Sequence, residues 1–151
     1  MTTIRLATRG SALALAQTEI AATAIRTASP ETDTTTVEVS TQGDQDRTTP
    51  LRILGGQGVF VGAVREALLD GRADVAVHSL KDVPTTPAPG LLIAAMLERA
   101  DPRDIFIGRD GRRLAALPPG SRVGTSASRR VALLRALRPD IEIADIRGNV
   151  D

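Results

Sequence analysis

Cysteine is absent from the 151 residues, so this chain builds no disulfide, no thiolate zinc site and no thiol nucleophile. Tryptophan and tyrosine are absent too, and the only aromatics are Phe60 and Phe106, which argues against base-stacking platforms and aromatic sugar-binding shelves. His78 is the single histidine, which excludes a histidine-built metal centre. Net charge is only +1, so no global basic field draws nucleic acid to the chain. No apolar run approaches the roughly 20 residues of a membrane span, and Met1–Arg5 lacks the apolar core of a signal peptide. A cytoplasmic protein with no nucleic-acid and no membrane contact is the expectation. With 25% of residues charged, the composition is that of an ordinary globular chain, long enough for one domain or two small ones.

What the chain does have is concentrated in a few stretches. Ala73–Pro84 opens as an apolar run with Val75 and Val77, is preceded by Gly71 and closes on Pro84. It reads as a buried parallel strand covered on both faces. Its polar residues gather at the C-terminal end: His78, Ser79, Lys81 and Asp82. Ligands of open α/β sheets bind just past the carboxyl ends of the strands, so a Lys and an Asp adjacent there read as a site. The plainer alternative is an ordinary surface Lys-Asp turn closed by proline. His78 reads as a satisfied structural histidine and stays outside the catalytic set.

Two strand–turn–helix junctions carry a shared feature. Ile4–Thr8 reads as a strand, Arg9-Gly10-Ser11 as a tight turn, and Ala12–Ala28 as a helix with Ser11 at its N-cap and with Leu13, Gln17, Ile20 and Ala24 on one face. Later, Ser121–Gly124 reads as a strand leading into Thr125-Ser126-Ala127-Ser128-Arg129-Arg130 and a helix to about Leu137, with Ser126 expected as N-cap. Arginines at a helix start oppose the macrodipole. The inversion makes sense where an anionic ligand sits among the free N–H groups and the guanidinium groups. Otherwise the arginines simply point into solvent.

Between the junctions lie a strand over Thr34–Thr41, a polar loop, the glycine-rich Gly55-Gly56-Gln57-Gly58, and a helix from about Val59 to Asp70. That helix has Phe60, Val64, Ala67 and Leu68 as its buried stripe and Gly71 as its C′ residue. The glycine loop lacks the Lys-Ser/Thr ending of a nucleotide P-loop. The order β-α-β-α-β implies a parallel sheet. Leu91–Leu97 reads as another buried strand, Glu98–Asp104 as a charged hinge, Ile105–Gly108 as the first strand of a second domain and Ile141–Ile146 as its last. The part from Asp104 on buries too little apolar surface to be comfortable alone, so the chain reads as a fragment.

Taken in order, Ile4–Ala16 (IRLATRGSALALA), Gly55–Val61 (GGQGVFV), Ala73–Pro84 (ADVAVHSLKDVP), Glu98–Asp104 (ERADPRD), Val123–Arg130 (VGTSASRR) and Ile146–Asp151 (IRGNVD) are a specific set, and VHSLKDVP is the most specific member. The chain resembles the porphobilinogen deaminase (hydroxymethylbilane synthase) family over essentially its whole length. That family joins porphobilinogen units head to tail, losing ammonia at each step, to give a linear tetrapyrrole. The resemblance implies an α/β protein of periplasmic-binding-protein-like domains with mainly parallel sheets and an active site in the cleft between two of them. Residues 1–97 would be the first domain, 98–104 the hinge and 105–151 part of the second. A dipyrromethane cofactor is implied, bound to a cysteine of a third domain, which this chain does not contain.

The resemblance also implies roles. Asp82 matches the catalytic aspartate, which assists ammonia loss and stabilises the cationic pyrrole. Arg9, Ser11, Lys81, Thr125, Ser126, Arg129, Arg130, Arg147 and Gly148 match positions that bind the carboxylates of substrate and cofactor. Gln57 departs from the lysine that many family members carry in the glycine loop. Porphobilinogen is the implied partner, the implied state is a monomer, and this polypeptide alone would be inactive for want of the cysteine. The competing expectation is a two-lobed binding module for a small carboxylate, which has the same domain pattern but no turnover.

Overall fold

The computed structural model describes residues 2–41 and 61–146. The chain divides into two compact units, one of residues 1–97 with 149–151 and one of residues 98–148.

The first unit is built on three parallel strands in the order β2-β1-β3: β1 Thr2–Arg9, β2 Thr32–Val39 and β3 Val75–Ala76. Among the described residues two helices accompany the strands, α1 over Ala12–Ala28 and α2 over Gly62–Leu69. The β-α-β-α-β order and the parallel sense are as expected from the sequence. β1 is central, and its consecutive residues Leu6, Ala7 and Thr8 are all fully buried. Successive side chains point to opposite faces of a strand, so burial of three in a row means that both faces are covered. On one face Ala7 packs with Val39, Val64, Ala67 and Ala73. On the other, Thr8 donates its hydroxyl to the carbonyl of Ala14 at 3.4 Å, under α1.

Side-chain chemistry explains the helix ends. Ser11 caps α1 as expected, its hydroxyl accepting from the Ala14 N–H at 3.3 Å. Gly71 sits just past the C-cap of α2 with φ +69°, and takes up the Leu68 carbonyl at 3.0 Å. That left-handed conformation is cheap for glycine alone. The stripe of α2 agrees at Val64, Ala67 and Leu68, whereas Phe60 and the Gly55–Gly58 loop with Gln57 lie outside the described residues.

The exposed and buried faces of α1 differ from the expected pattern. Leu13 and Ile20 are exposed, while Thr18 and Ala22 are the buried residues. Thr18 can be buried because its hydroxyl is donated to the Ala14 carbonyl at 2.8 Å, which leaves no unsatisfied polar atom.

β3 is shorter and less covered than the sequence suggests: only Val75 and Ala76 enter the ladder, and both are half-buried. Its register on β1 is held by charge. Arg5 donates to both carboxylate oxygens of Asp74, at 3.0 and 2.7 Å, and to the Gly71 carbonyl at 2.8 Å. The Arg5 guanidinium holds the Asp74 carboxyl down at about 2.

Two expected strands do not form among the described residues. Leu91–Leu97 and Ile105–Gly108 carry no ladder, and Leu92, Met96, Ile105 and Ile107 are strongly exposed. An apolar run becomes a strand only where a neighbour offers a row of N–H and C=O groups, and none of the described residues offers one here.

In the second unit, β4 Arg122–Gly124 pairs in parallel with β5 Glu142–Ala144, connected by helix α3 over Ser128–Leu137. Val123 and Ile141 are its buried apolar side chains among the described residues. Polar staples do much of the remaining closure. Arg138 donates to the carbonyls of Leu114 and Leu117 at 2.6 and 2.7 Å and pairs with Asp140 at 2.6 Å, its side chain only 17% exposed. No helix among the described residues is long and apolar enough to cross a membrane.

Candidate functional site

The residues singled out from the sequence fall on two sets of loops, one in each unit. In the first, β1 delivers Arg9 and then Ser11 at the start of α1. β3 delivers His78 and Ser79, followed by a 3₁₀ turn over Leu80–Asp82 that presents an exposed Lys81 and a half-buried Asp82. The turn closes through the Asp82 N–H on the Ser79 carbonyl at 3.0 Å. Parallel pairing of β1 and β3 places both loops at the carboxyl end of the same sheet. They are also tied directly: Ser79 donates its hydroxyl to the Gln17 side-chain oxygen at 2.6 Å, across 62 positions of sequence.

His78 belongs to this set electrostatically. Burial holds its pKa below the ordinary value, the Asp82 carboxylate opposes that, and the Arg65 and Arg9 cations reinforce it. The imidazole is therefore neutral near pH 7. The expectation that it is satisfied does not hold: its Nε2 is buried and has no hydrogen-bond partner among the described residues.

The second set lies at the start of α3. The expected cap is displaced: the N-cap is Ala127, and the helix begins at Ser128 without a side-chain cap. Ser126 is drawn away because its hydroxyl bonds the backbone of Ile146, accepting from its N–H at 3.0 Å and donating to its carbonyl. Thr125 is buried, with its backbone N–H on the Ala144 carbonyl at 2.9 Å and its hydroxyl oxygen accepting from the Ala127 N–H at 3.2 Å. A Cβ on Gly124 would stand 2.6 Å from the Ile146 Cγ2, so glycine is what lets Ile146 come close enough to Ser126.

Arg129 and Arg130 do have an anion, and it is internal. Asp104 takes Arg129 through both terminal nitrogens, at 2.9 and 2.7 Å, and Arg130 through Nε at 3.0 Å. The Arg129 and Arg130 guanidinium groups hold the Asp104 carboxyl down at about 2. Sequence reasoning missed Asp104. The signal was present in the reversed charge of the helix start, which asks for an acid nearby, but nothing local says which acid 25 residues away supplies it. Arg147 and Gly148 lie outside the described residues.

Each unit carries basic side chains on a strand–turn–helix loop, and together the parallel sheets and these loops define an α/β chain. The chain belongs to the porphobilinogen deaminase family. The family model described as porphobilinogen deaminase, dipyromethane cofactor binding domain, matches residues 4–151. The porphobilinogen deaminase of Leifsonia xyli subsp. xyli is 52% identical over 148 residues, covering 98% of this chain and 44% of that protein. That of Sorangium cellulosum is 50% identical, covering 99% of this chain and 50% of the relative. The Deinococcus deserti protein of the same name is 47% identical, covering 100% and 50%. The chain thus spans about half the length of the curated relatives it matches.

In the second unit the donor set fits a carboxylate of a dipyrromethane, because Arg130 bonds Asp104 through Nε and not through its terminal nitrogens. It does not fit the covalent anchor, because the chain contains no cysteine.

Proposed function

We propose that this chain is the ligand-gripping and electrostatic part of an enzyme that condenses four porphobilinogen units head to tail, with loss of ammonia at each step, to give the linear tetrapyrrole hydroxymethylbilane in heme biosynthesis. Family membership supports the reaction, and the observation that carries the site is the Lys81-Asp82 turn, which begins four residues after the carboxyl end of β3. Arg9, Lys81, Arg129, Arg130 and Arg147 supply cations for the acetate and propionate groups of the pyrroles, with Ser11, Thr125, Ser126 and Gly148 beside them. A bidentate guanidinium–carboxylate contact fixes orientation as well as adding affinity.

Asp82 is the catalytic residue. When the aminomethyl C–N bond breaks, ammonia departs with the bonding pair and the pyrrole is left cationic. A carboxylate already aimed at that cation stabilises the transition state more than the ground state. A bound dipyrromethane supplies the end to which each pyrrole is added, and its carboxylates take the same arginines.

In this reading residues 1–97, 98–104 and 105–151 are a first periplasmic-binding-protein-like domain, a hinge and part of a second domain. The enzyme is a cytoplasmic monomer that contacts neither nucleic acid nor membrane. The cofactor-bearing cysteine falls in the half of the relatives' length that this chain does not span, so the 151-residue polypeptide alone does not turn over.

The test is Asp82→Asn in the full-length protein. Loss of one preorganised electrostatic group costs on the order of 10²–10³ in kcat, while porphobilinogen affinity stays within a few-fold. Unchanged turnover would remove Asp82 from the chemistry. Tight carboxylate binding with no turnover in the unmodified protein would favour the two-lobed binding module.

A further inference from the structure

Two cations in the first turn of α3 are unfavourably placed against the positive end of the helix dipole. Left alone they would spread into solvent. Asp104 prevents this with two charge-assisted hydrogen bonds, one to Arg129 and one to Arg130, and with a second ion-pair contact to Arg129 at 2.7 Å. The trio keeps a net charge of +1, from two cations and one anion, and so still attracts an anion. The bonds to Arg130 use Nε only, so its two terminal nitrogens, the edge that grips a carboxylate end-on, have no partner among the described residues. The Asp104 side chain is 33% exposed, against 64% and 54% for Arg129 and Arg130. The acid is therefore the more sheltered member and the cations face the solvent.

We propose that Asp104 is the positioning residue of a carboxylate clamp, holding the Arg129 and Arg130 guanidinium groups together so that the terminal nitrogens of Arg130 receive a carboxylate of a polycarboxylate ligand. This rests on the reading of Arg129 and Arg130 as carboxylate-binding groups given above. The ligand adds to the trio and does not expel Asp104. Expulsion would break a bidentate pair made by a tethered carboxylate, whose effective concentration is in the mM range or higher, whereas docking on the open edge breaks nothing.

The test is calorimetric titration of the full-length protein with two probes, porphobilinogen and citrate, the latter a polycarboxylate without a pyrrole. The variants are Asp104→Ala, Asp104→Asn, Arg130→Ala and the Asp104→Ala/Arg130→Ala pair, each checked for an unchanged melting profile. Asp104→Asn serves as the milder variant should Asp104→Ala fail to fold. We expect Asp104→Ala to weaken both probes at least tenfold, Asp104→Asn to weaken them less, and the pair to bind no worse than Arg130→Ala alone, because Asp104 acts through Arg130. Equal or tighter binding by both Asp104 variants overturns the clamp and makes Asp104 a bystander or a competitor. So do losses that simply add, and so does an unmodified protein that binds neither probe. Citrate binding that depends on Asp104, without any porphobilinogen binding, leaves the clamp standing and sinks the porphobilinogen reading instead.

Discussion

The two strand–turn–helix junctions begin with similar sequence and end with different chemistry. Thr8-Arg9-Gly10-Ser11 spends its serine on the helix: Ser11 caps α1. Thr125-Ser126-Ala127-Ser128 spends its serine elsewhere, on the Ile146 backbone, and leaves α3 uncapped. Each junction also has an acid close by, but in a different place. At the first, the Glu38 carboxylate stands 3.1 Å from where a Cβ on Gly10 would lie. At the second, Asp104 is bonded to the arginines themselves. The lesson is that a basic helix start is a question with several answers, among them a capping side chain, an internal acid and a ligand, and only the fold decides which.

Removing the strand that aims the first junction separates the two most sharply. Leu6→Ala, at a fully buried position of β1, should destabilise the first unit by about 2–5 kcal/mol. Denaturant unfolding followed by hydrogen exchange should register the loss in residues of β1, β2 and α2 and spare α3. Equal loss of protection in α3 would mean that the two units unfold together.

The caps provide a gentler contrast. Ser11→Ala should cost about 1 kcal/mol and fray the first turn of α1, because Ser11 is its N-cap. Ser126→Ala should leave the helicity of α3 as it is and instead release Ile146, whose backbone N–H and carbonyl both use that hydroxyl. Amide exchange at Ala14 and Ile146 in the two variants reads both outcomes, and fraying of α3 in Ser126→Ala would contradict the assignment of Ala127 as cap.

Acid gives the smallest difference. His78 has a depressed pKa, so the unfolded chain takes up its proton first, and the first unit loses stability as pH falls below the ordinary histidine value of 6.5. The second unit contains no histidine, and the carboxyl of Asp104 is depressed to about 2. Its contribution is complete above the ordinary carboxylate value of 3.8 and fades as pH falls through about 2. Exchange protection measured at pH 7 and pH 5.5 should thus fall in the first unit only. His78→Gln should abolish that fall, and a fall that persists in His78→Gln would assign it to another group.

What was legible in the sequence was local. The Ser11 cap and the Gly71 left-handed turn follow from residues within a few positions of one another. The parallel order of the first unit followed from the alternation of strand and helix patterns. What was not legible depended on partners far along the chain. Leu91–Leu97 has the composition of a buried strand but no ladder here, because strand pairing is decided by the neighbour and not by the run itself. Ser126 has the identity of a cap, yet Ile146, 20 residues on, claims it. Asp104 looked like one charge among many in Glu98–Asp104, and its role depends on a helix that starts at Ser128.

Arg138 has a thermodynamic consequence. A unit closed by a guanidinium fork onto two carbonyls and a carboxylate exposes little hydrocarbon when it opens. Heat-capacity change on unfolding follows newly wetted apolar surface. The second unit should therefore melt with a shallow calorimetric step and a flat stability curve, nearly as firm in the cold as in the warm, while the first unit, with its buried Leu6, Val61 and Val64, carries most of the curvature.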